Sequence, residues 1–152
     1  MNIVLFEPEI PFNTAAIGRS AVLTNSKLHL IRPLGFSVSD KAIRKAGLDY
    51  WNAIDLKIYS DFTEFLSYNK GRLFFASTKA KKFYTEYEYK DGDYFVFGPE
   101  SRGLPREILD EYKDNLIKIP MTDRMERSLN LSNSVAIILF EALRQTGFNG
   151  LK

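Results

Sequence analysis

Two stretches of the chain carry residue types that can hold a ligand where a strand ends. In residues 97–105, Gly98 and Gly103 free the backbone, and two prolines stiffen it. In the second stretch, an apolar segment at residues 119–121 is followed by a polar turn at residues 127–133, which opens a long apolar run. Backbone groups and hydroxyls in such turns can hydrogen-bond a polar ligand, and small side chains let it approach closely. Both stretches therefore predict parts of a ligand-binding site.

The secondary-structure elements that must position these stretches alternate between strands and helices. We predict strands near residues 2–7, 27–32, 55–59, 72–77, 93–97 and 116–119, and helices near residues 13–25, 40–47, 61–69, 105–113 and 131–146. Such alternation predicts an α/β domain with a mostly parallel sheet. Strands such as residues 3–6 are apolar on both faces, which requires helices to cover both faces of the sheet. The 152 residues suffice for one domain, residues 1–152, with a core of its own.

The carboxyl ends of three predicted strands offer residues for a ligand, because ligands of parallel α/β sheets bind at that edge. These strand exits are residues 76–78, 98–100 and 119–121. Ile119, Met121 and Leu129 can pack on an aromatic base while backbone groups bind its edge, which suits an adenosine-like ligand. In the alternative interpretation, the glycines only shape a turn and the polar residues before the last helix only cap it.

Composition and motifs disfavour several classes of protein. The chain has no cysteine and one histidine, His29, in an alternating, strand-like run. We interpret His29 as a strand residue that faces solvent or the core, and we expect neither a metal site nor a serine hydrolase. Gly98 and Gly103 have the spacing of a phosphate-binding loop, but Leu104-Pro105 follows where that loop needs Lys-Ser/Thr. No G-x-G-x-x-G follows the first strand, which disfavours a dinucleotide oxidoreductase.

Positive charge is clustered although the totals are balanced. Lys and Arg number 21 against 19 Asp and Glu, so any basic surface must come from local clusters. Lys41, Arg44 and Lys45 lie within about one helical turn of each other, and Lys79 follows a strand exit close to two more lysines and two aromatic residues. Lysines and arginines can hold phosphates, and an aromatic ring can stack on an unpaired base. These clusters predict contact with RNA, and the alternative for any one of these lysines is ordinary solvated surface charge.

The sequence opens directly on a predicted strand, without the features of a secretion signal. No apolar run approaches the roughly 18 residues that would suggest a membrane span. We therefore expect a cytoplasmic protein that does not insert into a membrane.

Three motifs resemble those of the SPOUT-class RNA methyltransferases, specifically the small tRNA 2'-O-ribose methyltransferases that act at the anticodon wobble nucleotide. The first motif is Glu7-Pro8-Glu9-Ile10-Pro11 with Asn13 and Arg19, the second is Phe97-Gly98-Pro99-Glu100 with Gly103-Leu104-Pro105, and the third is Ile119-Pro120-Met121 with residues 127–133. Residues 44–50 and 141–145 also match, so the resemblance covers nearly the whole chain. Two departures are Ala15-Ala16 in place of a glycine-asparagine pair and Phe140 in place of an aromatic hydroxyl, which leaves Phe140 only a packing role.

The resemblance implies a C-terminal trefoil knot, whose loops hold S-adenosylmethionine in a bent conformation, and a homodimer with active sites near the subunit interface. The residues expected at the cofactor are Ala76, Gly98, Ile119, Ser128 and Leu129, together with Met121 from the packing argument. Arg19, Glu100 and Asn130 are the catalytic candidates, and Lys41, Arg44, Lys45 and Lys79 are expected to contact the tRNA anticodon stem-loop. The apolar last helix fits a dimer contact and equally a fully packed core helix.

The implied reaction is methyl transfer from S-adenosylmethionine to a ribose 2'-hydroxyl of tRNA, at the wobble cytidine or uridine. A guanidinium stays protonated far above neutral pH, so neutralising it at pH 7 would cost roughly 8 kcal/mol. We therefore interpret Arg19 as a clamp on the ribose hydroxyl and a neighbouring phosphate, with the hydroxyl proton lost late to phosphate or water. Arg19 would be the base only if burial made its deprotonation much easier. The alternative is a noncatalytic RNA-binding or assembly protein that keeps the same fold.

Overall fold

The computed structural model describes residues 1–39, 41, 45, 50–124 and 127–152 of the chain. Its strands are β1 (Asn2–Phe6), β2 (Lys27–Ile31), β3 (Leu56–Tyr59), β4 (Leu73–Ala76), β5 (Tyr94–Phe97) and β6 (Leu116–Ile117). Its helices are α1 (Pro11–Leu23), α2 (Phe62–Tyr68), α3 (Arg106–Glu111) and α4 (Leu131–Gln145), and short 3-10 turns lie at Trp51–Ala53, Tyr84–Glu86 and Lys113–Asn115. Most of the helix predicted near residues 40–47 lies outside the described residues, although Lys41 and Lys45 have helical backbone.

The six strands form one sheet in the order β3-β2-β1-β5-β4-β6, and neighbouring strands pair in parallel throughout. This confirms the predicted parallel α/β architecture. Since parallel strands end at the same edge, the exits of β1, β5, β4 and β6 are consecutive neighbours along that edge. The segments that carry the three motifs therefore start side by side.

Helices cover both faces of the sheet, as predicted. Ile3 and Leu5 of β1 point to one face and pack in a core with α1 and α4. Val4 and Phe6 point to the other face and pack with α2 and α3. Because alternate residues of a strand face opposite sides, a strand apolar at every position can contribute to both cores.

The last helix begins and ends where its sequence predicts. The Asn130 side chain caps α4 by accepting a hydrogen bond from the Ser132 backbone N–H at 2.8 Å. Gly147, with a φ of +76°, follows the helix end in the left-handed conformation that favours glycine. Val135 and Ile138 are buried, whereas Phe140 is 48% exposed on the outer face of the helix.

His29 is a core residue of β2, one of the two interpretations its sequence allowed. Its ring lies 2.9 Å from the Tyr59 hydroxyl and 3.2 Å from the Asn2 side-chain oxygen, and it is only 1% exposed. Burial, followed by the charge of nearby Lys57, lowers the pKa of His29 from 6.5 to about 4. His29 is therefore a neutral member of a buried hydrogen-bond network at neutral pH.

Stability is expected to fall by about 3 kcal/mol as the pH drops from 6.5 to about 4, because His29 protonates earlier in the unfolded chain. Between these pH values the unfolded state binds more protons, so this part of the stability is complete above pH 6.5 and is lost towards pH 4. Urea unfolding measured across this pH range should show the loss, and His29→Gln should flatten it. The same pH slope in both proteins would contradict this assignment.

Candidate functional site

An open cleft of about 490 Å³ lies at the carboxyl edge of the sheet. It is lined by residues 76–79 after β4, residues 97–104 after β5, residues 117–119 and 121 from β6 onward, and residues 128–131 at the start of α4, with Ile10 and Asn13 from the β1 exit. Its apolar floor includes Leu104, Ile117 and Ile138, which are all buried. The three segments singled out in the sequence therefore meet in one cleft.

The loop after β5 folds back on itself at Gly98. A Cβ added to Gly98 would lie 2.4 Å from the Leu104 backbone nitrogen and 2.5 Å from the Gly103 carbonyl carbon. Gly103 itself has a φ of +69°, and its N–H donates to the Pro99 carbonyl at 2.9 Å. Only glycine at position 98 permits this turn, which presents backbone atoms to the cleft.

Two carboxylates link the loops after β1 and β5, because each accepts hydrogen bonds from the opposite loop. Glu100 accepts hydrogen bonds from the backbone N–H groups of Glu9 at 2.8 Å and Ile10 at 3.1 Å. In return, Glu9 accepts from the backbone N–H of Ser101 at 2.8 Å and from its hydroxyl at 2.7 Å. These two bonds from Ser101 are the main reason that the pKa of Glu9 lies below its ordinary value. The reciprocal bonds fix the two loops relative to each other.

Arg102 adds a charged contact between the same two loops. Its guanidinium bonds the Glu7 carboxylate and lies 3.5 Å from the Glu9 carboxylate. Glu7 has a φ of +50°, an uncommon conformation for a residue with a side chain. Sequence reasoning did not find this role of Arg102, because residues 7 and 102 are 95 positions apart and no local pattern links them.

Asn13 connects these loops to the start of α4. Its amide nitrogen donates to Glu100 at 3.1 Å, and its amide oxygen accepts from Asn130 at 2.9 Å. Asn130 in turn caps α4. A continuous hydrogen-bond chain thus joins all three motifs, and within it Glu100 and Asn130 hold loops and a helix end in place.

The predicted site residues fall into two groups. All six predicted cofactor residues line the cleft, namely Ala76, Gly98, Ile119, Met121, Ser128 and Leu129, and so do Glu100, Asn130 and Lys79. Arg19 does not line the cleft. It is exposed on α1, about 9 Å along the helix axis from Asn13. The roles of all these residues stay predictions.

The residues expected at RNA are partly described. Lys41 and Lys45 are exposed, whereas Arg44 lies outside the described residues. Beyond Lys79, Phe83 is 41% exposed, and the Lys118 ammonium lies 5.4 Å from the centre of its ring. This aromatic and basic surface lies next to the cleft, because Lys118 also lines it.

Within the described part of the chain, no group of three or more His, Asp or Glu residues is arranged to hold a metal ion. The helices of that same part include none that is long and apolar enough to span a membrane.

Solved structures of RNA methyltransferases share this fold. One solved structure is described as giving structural insights into the 2-OH methylation of C/U34 on tRNA. It has a TM-score of 0.90 and 42% sequence identity to this chain, and the alignment covers 96% of this chain and 95% of that structure's chain. An AdoMet-bound rRNA methyltransferase from Sinorhizobium meliloti has a TM-score of 0.82 and 25% sequence identity. The alignment covers 94% of this chain and 55% of that enzyme's chain.

The chain belongs to the SpoU rRNA Methylase family, which its residues 1–140 match. Two relatives named tRNA (cytidine(34)-2'-O)-methyltransferase, from Saccharophagus degradans and Photorhabdus asymbiotica, are each 48% identical. Both alignments cover 99% of this chain, and they cover 99% and 96% of the respective relatives. The family resemblance predicted from the three motifs is confirmed.

Proposed function

We propose that the chain transfers the methyl group of S-adenosylmethionine to the ribose 2'-hydroxyl of tRNA nucleotide 34, a cytidine or uridine. The observation that carries this proposal is the meeting of three motif segments, far apart in sequence, in one cleft of about 490 Å³. Membership of a methylase family and the names of relatives that are 48% identical support the reaction and the substrate. This substrate would place the protein in the cytoplasm.

The cleft fits S-adenosylmethionine in three respects. Met121 and Leu129 leave apolar surface uncovered, at 41% and 39% exposure, which a flat adenine ring could bury. The Gly98 turn exposes backbone groups that can bind polar edges. The cleft volume falls in the usual range for small-molecule sites. When bound, this cofactor supplies a methyl group already activated on a sulfonium.

In this proposal the protein chiefly aligns the reacting groups. Glu100 and Asn130 act by positioning, because their side chains hold the loops and the α4 start that line the cleft. Arg19 would bind the ribose hydroxyl and an adjacent phosphate through its guanidinium. Since Arg19 lies outside the cleft of its own chain, this role requires RNA or a second subunit to bring the cleft and Arg19 together.

A homodimer is part of the proposal and would form on the outer face of α1 and α4, which pack against each other on one side of the sheet. Phe12 and Leu23 of α1 are 65% and 69% exposed, and Phe140 of α4 adds apolar surface. Arg19 projects from the same exposed stripe of α1. An interface there would bring Arg19 close to the partner subunit. The trefoil knot implied by the resemblance also belongs to this proposal.

Phe140→Asp is expected to convert the dimer to a monomer and to abolish methylation, because an interface cannot readily bury an unpaired carboxylate. The matched control is Tyr68→Asp on α2, which removes an aromatic residue that is 75% exposed on the opposite face of the sheet. Sedimentation velocity at several protein concentrations reports the assembly. A dimer that persists in Phe140→Asp would contradict the assigned interface.

Calorimetry with S-adenosylmethionine and with NAD, followed by incubation with bulk tRNA and nucleoside analysis, tests the function. We expect binding of S-adenosylmethionine only, and 2'-O-methylcytidine or 2'-O-methyluridine at position 34. Methylation of a base atom would overturn the proposed reaction. Cofactor or RNA binding without any methylated product would favour the noncatalytic alternative.

A further inference from the structure

A second groove, of about 470 Å³, lies beside the cleft. Its walls come from the loop after β4, from α3, and from the 3-10 turn that leads into β6. Lys79 and Leu109 line both the groove and the cleft. The two concavities therefore adjoin along the protein surface, and an RNA whose reacting ribose reaches the cleft can extend over the groove.

The groove is basic. Lys79, Lys81, Arg106 and Lys113 line it, against Asp110 and Asp114. Arg106 and Asp110 form an ion pair at 3.5 Å and largely offset each other. In the part of the chain that the structure describes, no carboxylate lies at ion-pair distance from the ammonium groups of the three lysines. Three exposed ammonium groups thus face one remaining carboxylate, that of Asp114.

We propose that this groove binds a backbone phosphate of the tRNA substrate, at a nucleotide away from the one being methylated. The proposal rests on the proposed function and adds a second contact to it. Ammonium groups on flexible stems bind phosphate as point charges, with no need for a defined base. Among the described residues, no aromatic side chain lines the groove, which suits a sugar-phosphate segment better than a stacked base. In the proposed function the reacting ribose lies at the cleft, so the adjoining groove favours the same RNA as occupant over a separate acidic protein.

Lys81→Gln and Lys113→Gln each remove one positive charge from the groove without touching the cleft. The matched control is Lys57→Gln, an exposed lysine on β3 at the opposite edge of the sheet. One phosphate contact contributes about 0.9 to the slope of log affinity against log salt, which corresponds to roughly fivefold in affinity at about 0.15 M salt. We expect each groove variant to weaken tRNA binding roughly fivefold and to lower that slope by about one. Cofactor affinity and kcat should stay unchanged.

Asp114→Asn provides a test of opposite sign. Removing this carboxylate should strengthen tRNA binding, because it repels phosphate in the same groove. The Tyr87 hydroxyl donates a hydrogen bond to the backbone carbonyl of Asp114, and the substitution keeps that carbonyl. A purely structural role of the groove would move the lysine and aspartate variants in the same direction, and that result would overturn the proposal.

The outcomes separate this inference from the function on which it rests. If the unaltered protein methylates tRNA but the groove variants behave like Lys57→Gln, the groove contact is wrong and the function stands. That result would favour an acidic protein partner as the ligand of the groove. If the unaltered protein neither binds S-adenosylmethionine nor methylates tRNA, the proposed function fails first, and the inference fails with it.

Discussion

Arg19→Ala is expected to lower kcat by about 100-fold or more and to leave the dissociation constant of S-adenosylmethionine nearly unchanged. The size of the effect follows from the proposed role, since loss of one preorganised charged contact to the reacting group typically costs two to three orders of magnitude. Cofactor affinity should persist because Arg19 does not line the cleft. The folded state should also persist, because the side chain is exposed on α1.

Single-turnover methylation with saturating cofactor measures the chemical step of this variant directly, and calorimetry measures its cofactor affinity. Arg19→Lys is the matched control, because it keeps the charge and loses the planar, two-pronged donor geometry. We expect it to recover only part of the rate. Equal losses of rate and cofactor binding in Arg19→Ala would contradict the clamp role, and so would full activity.

The sequence predicted most of the fold because its strongest patterns are local. Strands that are apolar at every position indicated a sheet covered on both faces, and β1 is fully buried between two cores. Helix α4 begins at its Asn130 cap and ends before Gly147, as its cap and stop residues predicted. Boundaries were less exact. Helix α1 begins at Pro11 instead of near residue 13, although proline at a first helical position is a known start signal.

The contacts that assemble the site could not be read from local patterns. Glu9 and Glu100 bond to each other's loops across 91 positions of sequence, and Asn13 and Asn130 across 117. Hydrophobic periodicity reports which face of an element is buried, but not which loop meets which. The strand-exit argument predicted that three segments lie at one edge of the sheet, and the motif resemblance predicted that they hold one ligand together. The exact position of Arg19 relative to the cleft was also beyond the sequence, because it depends on how α1 rests on the sheet.

These contacts change how Glu100 and Asn130 are interpreted. Both were predicted as catalytic from their motif positions, yet the Glu100 carboxylate already accepts bonds from Glu9, Ile10 and Asn13. The Asn130 side chain bonds Asn13 and the first turn of α4. Because these two side chains hold the loops and the helix end that line the cleft, their substitution should lower cofactor affinity as well as the methylation rate.

Gly98→Ala is expected to weaken binding of S-adenosylmethionine by roughly 100-fold, because the loop after β5 cannot accept a methyl group there. The added carbon would lie 2.4 Å from the Leu104 nitrogen and 2.9 Å from the Gly103 Cα, and both contacts are with backbone, which has no rotamer to change. The loop must therefore shift. Overpacking of this kind costs about 1–3 kcal/mol, and each 1.4 kcal/mol corresponds to about tenfold in affinity.

Gly103→Ala in the same loop is the matched control for this effect. Its φ of +69° strains any other residue, but nothing lies within 4 Å of an added Cβ. It should therefore lower the free energy of unfolding by about 1 kcal/mol. It should weaken cofactor binding much less than Gly98→Ala, because no backbone atom of the loop has to move, although Gly103 also lines the cleft. Calorimetry measures the loss of cofactor affinity in both variants, and urea unfolding measures their loss of stability. Equal cofactor affinities in Gly98→Ala and Gly103→Ala would show that the close backbone approach at Gly98 does not shape the binding site.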